Sequence, residues 1–126
     1  MKVLVVDDDP AIRKWVAALL EEQGYAVVTA GSGLEAMHLA RCQTYSFDLV
    51  LSDYVMADMD GLSLAAALRI SMPALPVILM SGTSVPSLPP GLGPIRFLEK
   101  PFSGARLLDC IQSLGGASSR SATAPK

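Results

Sequence analysis

Apolar residues fall along this chain in two alternating rhythms. Lys2 to Val6 is a continuous run dominated by branched apolar side chains, the pattern of a strand buried on both faces. Asp9 follows as a helix N-cap with Pro10 at the first helical position. Ile12, Trp15, Val16, Leu19 and Leu20 then recur at helical spacing, and Gly24 ends the segment. The alternation repeats. Tyr25 to Ala30 predicts a second strand, and Ser32 with Glu35 forms a capping box ahead of a helix over Leu34 to Cys42. Phe47 to Ser52 predicts a third strand, and Leu62 to Ile70 a third helix capped by Asp60. Pro76 to Met80 and Ile95 to Glu99 predict two more strands. Ser103 caps a last helix with Leu107, Leu108, Ile111 and Leu114 on one side and Gly115-Gly116 as its stop.

Strands that are apolar throughout and alternate with helices indicate an α/β fold, a parallel sheet covered on both faces. Right-handed crossovers then leave few topologies. Two segments depart from the repeat. Ser84 to Pro94 (SVPSLPPGLGP) holds four prolines and two glycines where the fourth helix is due. Proline breaks the helical ladder, so that helix is expected to be short, irregular or missing. Gly115 to Lys126 contains no Leu, Val, Ile or aromatic residue and is expected to be a disordered tail, leaving residues 1–114 as the domain.

A chain of 126 residues has the length of one domain, and 51% hydrophobic residues suffice for a core at that size. Net charge is −2 with scattered Lys and Arg, which argues against direct nucleic-acid binding. Cys42 and Cys110 lie far apart inside helical patterns and read as small core residues of a reduced, cytoplasmic protein. Neither a signal-peptide pattern nor a membrane-length apolar run is present.

In open parallel sheets, ligands bind beyond the carboxyl ends of the strands. The first strand ends at Asp7 and Asp8, the third at Asp53, the fourth at Ser81-Gly82 and the fifth at Lys100-Pro101. Two carboxylates ~4 Å apart repel by about 4 kcal/mol near a protein surface. One N-capping carboxylate is enough for a helix, so Asp9 explains itself and Asp7 and Asp8 do not. A hard cation among them removes the difficulty: Mg²⁺ takes oxygen ligands, commonly one or two carboxylates with a phosphate. A carboxylate can also attack phosphorus to form an aspartyl phosphate, and phosphoryl transfer needs mainly positioning and charge neutralisation.

The segments VVDDDP, DLVLSDYVMADMDG, PVILMSG and FLEKPF, in this order, resemble the receiver domain of two-component response regulators, the CheY-like family, over residues 2 to about 114. The resemblance implies a flavodoxin-like doubly wound sheet of five parallel strands in order 2-1-3-4-5. It implies that Asp53 accepts a phosphoryl group from a histidine kinase or histidine phosphotransfer protein. By the same resemblance Asp8 ligates Mg²⁺ directly, Asp7 holds it partly through water, and Asp53 and the backbone carbonyl of Val55 complete the protein's share. Ser81 and Lys100 match the hydroxyl and ammonium that pair with the phosphoryl group. Ser81 and Phe97 match the residues that shift on activation, and Lys100-Pro101 matches a peptide that is usually cis. Such a domain has no substrate besides itself.

Ala57 stands where proline is frequent in this family, so a less rigid loop is expected after Asp53. The Pro-rich segment alters the family's common signalling face, and readout is expected through helix one or the Pro-rich segment itself, to a downstream protein, by a monomer or weak dimer without a membrane or DNA module. The chain reads as a stand-alone receiver or the receiver of a hybrid kinase. A second reading is a haloacid-dehalogenase-like phosphatase with Asp7 as nucleophile, Asp9 as its acid, and Ser81 and Lys100 assisting. A third is a degenerate receiver that only scaffolds partners.

Overall fold

The computed structural model describes residues 1–41, 47–82 and 95–119, with side chains through 114. The order of elements is β1 (Lys2–Val6), α1 (Pro10–Glu22), β2 (Ala26–Ala30), α2 (Gly33–Arg41), β3 (Leu49–Asp53), α3 (Gly61–Ser71), β4 (Val77–Ser81), β5 (Ile95–Glu99) and α4 (Gly104–Ser119). The five strands form one parallel sheet in the order β2-β1-β3-β4-β5, as expected. The crossover between β4 and β5, where a short or missing helix is expected, lies outside the described residues, as does Cys42.

Alternation along the strands divides the core into two layers. Leu4, Val6, Val50, Val77 and Leu79 face α2 and α3, where they meet Ala36, Leu64, Ala65 and Leu68. Val3, Val5, Leu49, Leu51, Ile78, Met80 and Leu98 face α1 and α4, where they meet Val16, Leu20, Leu107 and Ile111. Strands β1, β3 and β4 are buried on both faces, the reason their sequences run apolar without interruption. Each fully buried Leu, Ile or Val contributes ~1.5–3 kcal/mol relative to an exposed one.

The helix starts follow the capping residues. Asp9 accepts from the Ala11 N–H (3.0 Å), Asp60 from Ser63 (2.7 Å), and Ser103 from Arg106 (3.1 Å). At α2 the Glu35 N–H donates to Ser32 Oγ (3.0 Å), but Glu35 Oε1 accepts from the Gly31 N–H (2.7 Å), one residue further back than a reciprocal capping box requires.

Two expectations are corrected. Trp15 is not core: it is 44% exposed, its ring 5.6 Å from that of Phe102. At 3.6 residues per turn Trp15 falls about 140° from Leu20, beyond the edge of the strip that faces the sheet. The last helix does not stop at Gly115-Gly116 but runs to Ser119, so part of the segment expected to be a tail is helical; residues 120–126 lie outside the description. Glycine has no steric bar to helical dihedrals, and its penalty of about 1 kcal/mol disfavours an established helix without ending it.

Leu51→Ala, in the buried layer, is expected to lower the unfolding free energy by about 2–5 kcal/mol. Trp15→Ala removes more atoms yet is expected to cost about 1 kcal/mol. Urea denaturation midpoints test both.

Candidate functional site

Strand register brings the acidic residues together. Val6 lies beside Ser52, so the residues that follow, Asp7 and Asp53, emerge side by side from neighbouring strands. The ladder carries on past the strand ends: the Asp7 N–H donates to Ala30 O (3.2 Å), Tyr54 to Met80 O (2.8 Å) and Lys100 to Ser81 O (2.8 Å). Asp7, Asp8, Asp53, Ser81 and Lys100 therefore share one edge of the sheet.

Carboxylate oxygens of Asp7, Asp8 and Asp53 all lie within 4.8 Å of one another. Lys100 Nζ answers them, 3.2 Å from Asp53 Oδ1 and 3.7 Å from Asp7 Oδ2. Asp7 is fully buried; its Oδ1 accepts from the Asp9 N–H (2.9 Å), while Oδ2 has no hydrogen-bond partner. Burial pushes the Asp7 carboxyl above the usual carboxylate range; the Asp9 N–H opposes the shift, Asp53 adds to it, Lys100 opposes it and Asp8 adds to it. A buried oxygen without a donor, among two further carboxylates, is a donor set suited to a hard divalent cation, and Mg²⁺ fits it.

Asp8 is exposed and accepts from the Ala57 N–H (3.3 Å), which ties the loop after β3 back to the acidic cluster. Ala57 can make this tie because it is not proline and keeps its N–H. Val55 lies in the same loop and is 63% exposed. Gly61 closes the loop, its N–H donating to Tyr54 O (2.7 Å). A Cβ at Gly61 would lie 2.7 Å from Asp53 O and 2.6 Å from Leu79 Cδ2, so only glycine lets α3 begin this close to Asp53.

Ser81 is buried at the end of β4, and the Lys100-Pro101 peptide is cis. Phe97, on β5, is half-buried and packs edge-on against Tyr54, ring centroids 5.9 Å apart. Phe97 thus touches the residue that follows Asp53.

Sequence reasoning misses two residues. Arg13, one turn into α1, donates from Nη1 to the carbonyl of Asp7 (2.8 Å) and fixes the strand end that carries the buried carboxylate. Asp58 is exposed, and its carboxylate accepts from the N–H groups of Gly33 (3.2 Å) and Leu34 (2.9 Å) at the start of α2. The bond from Leu34 foremost holds its carboxyl below the usual range. Nothing local in the sequence identifies the helix that Asp58 reaches, 24 and 25 residues back. Asp9, needed as a second working carboxylate by the phosphatase reading, instead caps α1.

A doubly wound parallel sheet with three aspartates and one lysine at its carboxyl edge defines the CheY-like class of α/β domains. A family model described as the response regulator receiver domain matches residues 3–112, and the chain belongs to that family. It is 37% identical over 114 residues to the transcriptional regulatory protein GlrR of Escherichia coli, covering 86% of this chain and 25% of GlrR. The sensor kinase CckA of Brucella abortus is 34% identical over 115 residues, covering 89% of this chain and 12% of CckA. The chain thus spans a quarter or less of the length of these curated relatives. Among solved structures, the chemotaxis protein CheY4 of Vibrio cholerae superposes with a TM-score of 0.79 at 32% identity, covering 90% of this chain and 97% of that one. The receiver domain of the hybrid histidine kinase CckA gives a TM-score of 0.79 at 30% identity, covering 91% and 99%. The chain is accordingly a receiver domain of two-component signalling. Among the described residues, no helix is long and apolar enough to cross a membrane.

Asp7→Asn removes a buried charge whose native pKa is raised, so without divalent metal it is expected to raise Tm by about 3 °C or more. The sign follows from linkage: below the unfolded pKa both states are protonated and the variant gains nothing. The gain grows as pH rises above about 4 and levels off once the native carboxyl ionises. Thermal unfolding across pH 3–8 in chelator, on wild type and variant, measures it.

Proposed function

We propose that this domain is a phosphorylation-controlled switch in which Asp53 is the phosphoacceptor, and that it signals by protein contact or in a phosphorelay. The observation that carries this reading is Lys100 Nζ at 3.2 Å from Asp53 Oδ1 inside a cluster of three carboxylates. Such an arrangement holds a nucleophilic oxygen beside a fixed positive charge. Asp53 attacks the phosphorus of a partner's phosphohistidine; the new O–P bond forms as the P–N bond breaks, and the bond pair leaves with the imidazole, which takes up a proton. Lys100 turns from the carboxylate to the phosphoryl oxygens, and the Ser81 hydroxyl donates to one of them. Asp7, Asp8, Asp53 and the Val55 carbonyl are the residues that would hold Mg²⁺, which supplies neutralisation of the phosphoryl charge. Phosphorylation adds charge and acceptor oxygens that Lys100 and Ser81 capture, biasing the placement of Phe97 against Tyr54. The domain acts on itself and has no separate substrate.

A partner approaches Asp53 past α1. A groove of about 370 Å³ lined by Ile12, Trp15, Lys100, Pro101 and Phe102 opens beside the site, and Lys100 belongs to both. The exposed Trp15 suits a contact with the apolar surface of a kinase or phosphotransfer helix. This is the helix-one surface expected from the sequence; the Pro-rich segment lies outside the described residues. The absence of clustered basic residues favours a protein partner over DNA, and a cytoplasmic setting suits a phosphohistidine donor.

With Mg²⁺ and a small-molecule phosphodonor, the wild type is expected to gain one phosphoryl mass that is acid-stable and base-labile, and Asp53→Asn none. Intact-mass and peptide mapping decide it; label persisting on the Asn variant or mapping to Asp7 overturns the reading. Trp15→Ala is expected to slow transfer from a phosphorylated histidine phosphotransfer protein roughly tenfold, about 1.4 kcal/mol, and to leave labelling by the small donor unchanged. Equal rates from the protein donor would remove α1 as the approach.

A further inference from the structure

The loop between β3 and α3 is tied at its middle, by two adjacent residues, to two groups outside itself. On one side Ala57 gives its N–H to Asp8 Oδ2 at 3.3 Å. On the other, the next residue, Asp58, clasps the start of α2 through two backbone N–H groups, at 3.2 Å from Gly33 and 2.9 Å from Leu34. Met59 continues the grip: a Cβ at Gly33 would overlap Met59 Cγ and lie 2.7 Å from its Sδ, so the methionine occupies the space that this glycine leaves. The first N–H groups of a helix have no partner within it, and a carboxylate there gains from the helix dipole as well. Asp58 thus meets a demand of α2 while anchoring a loop that has no regular secondary structure of its own.

We propose that Asp58 is a positioning residue for the cation site: by latching residues 57–59 to α2 it holds the Ala57 N–H against Asp8 and fixes the direction of that carboxylate. The chain of contact is short. The latch and the Asp8 tie lie on adjacent residues, so a loop released from α2 carries the Ala57 N–H away from Asp8. Hydrogen bonds that orient a ligating carboxylate strengthen metal affinity, commonly by 10–100-fold. Asp58 touches neither Asp53 nor Lys100 in any described contact; its effect passes through the loop. The inference rests on Asp8 being a cation ligand.

Mg²⁺ affinity measured by titration calorimetry tests it without any phosphodonor. Asp58→Ala is expected to weaken Mg²⁺ binding roughly tenfold, the low end of that range because its effect passes through the loop, and to speed amide exchange at Gly33 and Leu34. Asp58→Asn keeps one of the two acceptor oxygens and loses the charge, and is expected to recover only part of the loss. Gly33→Ala attacks the same latch from the α2 side by displacing Met59 and is expected to weaken Mg²⁺ in the same direction. In phosphorylation assays the Mg²⁺ concentration for half-maximal labelling rises more than the rate at saturation falls. If Asp58→Ala and Gly33→Ala both bind Mg²⁺ as tightly as wild type, the latch has no positioning role. Should the wild type bind Mg²⁺ yet take no phosphoryl label, the switch reading fails while the latch stands on the binding data; should the wild type bind no Mg²⁺, both fall.

Discussion

Repulsion among three carboxylates is the constraint around which this domain is arranged. Oxygens of Asp7, Asp8 and Asp53 within 4.8 Å of one another would drive a flexible chain apart, and the sheet register does not allow it. Val6 and Ser52 are paired in the centre of a sheet buried on both sides, so the residues that follow them cannot separate without unzipping β1 from β3. Two apolar layers thus hold together a polar edge that is unfavourable by itself. Lys100 offsets part of the charge, reaching both Asp7 and Asp53, but a single ammonium leaves the cluster net negative. That residual negative charge is what the site has to offer a cation.

The remaining architecture fixes the directions in which these groups point. Arg13 pins the Asp7 carbonyl from α1, and Gly61 lets α3 begin against the Asp53 backbone. Asp8 and Asp58 grip consecutive parts of the loop between them, on the acidic cluster and on α2. Ala57 gives up the stiffness of a proline but retains an N–H, and the structure shows where that N–H goes. Phe97 meets Tyr54, the neighbour of Asp53, and α2 meets the same loop through Asp58.

The fold is legible in the sequence because strand and helix periods are local, and four of the five strands, all but β2, run into a polar residue at their carboxyl end. Asp7, Asp53, Ser81 and Lys100 could be placed on one edge from topology alone, since a parallel sheet puts all strand C-termini together. Contacts between distant segments are less visible. Asp58 looks like a loop residue because its partners lie 24 and 25 positions away. Trp15 satisfies the helical repeat and still misses the core, because the repeat gives a direction and not the width of the surface that receives it. Gly115-Gly116 marks a weak point in a helix that nonetheless continues to Ser119.

If carboxylate repulsion is the governing feature, relieving it must stabilise the fold. The most direct measurement is the Tm of wild type and Asp8→Asn with and without millimolar Mg²⁺, at neutral pH. Mg²⁺ should raise the wild-type Tm by several degrees and leave the Asp8→Asn Tm nearly unmoved. A wild type indifferent to Mg²⁺, or a variant that responds equally, would contradict the account.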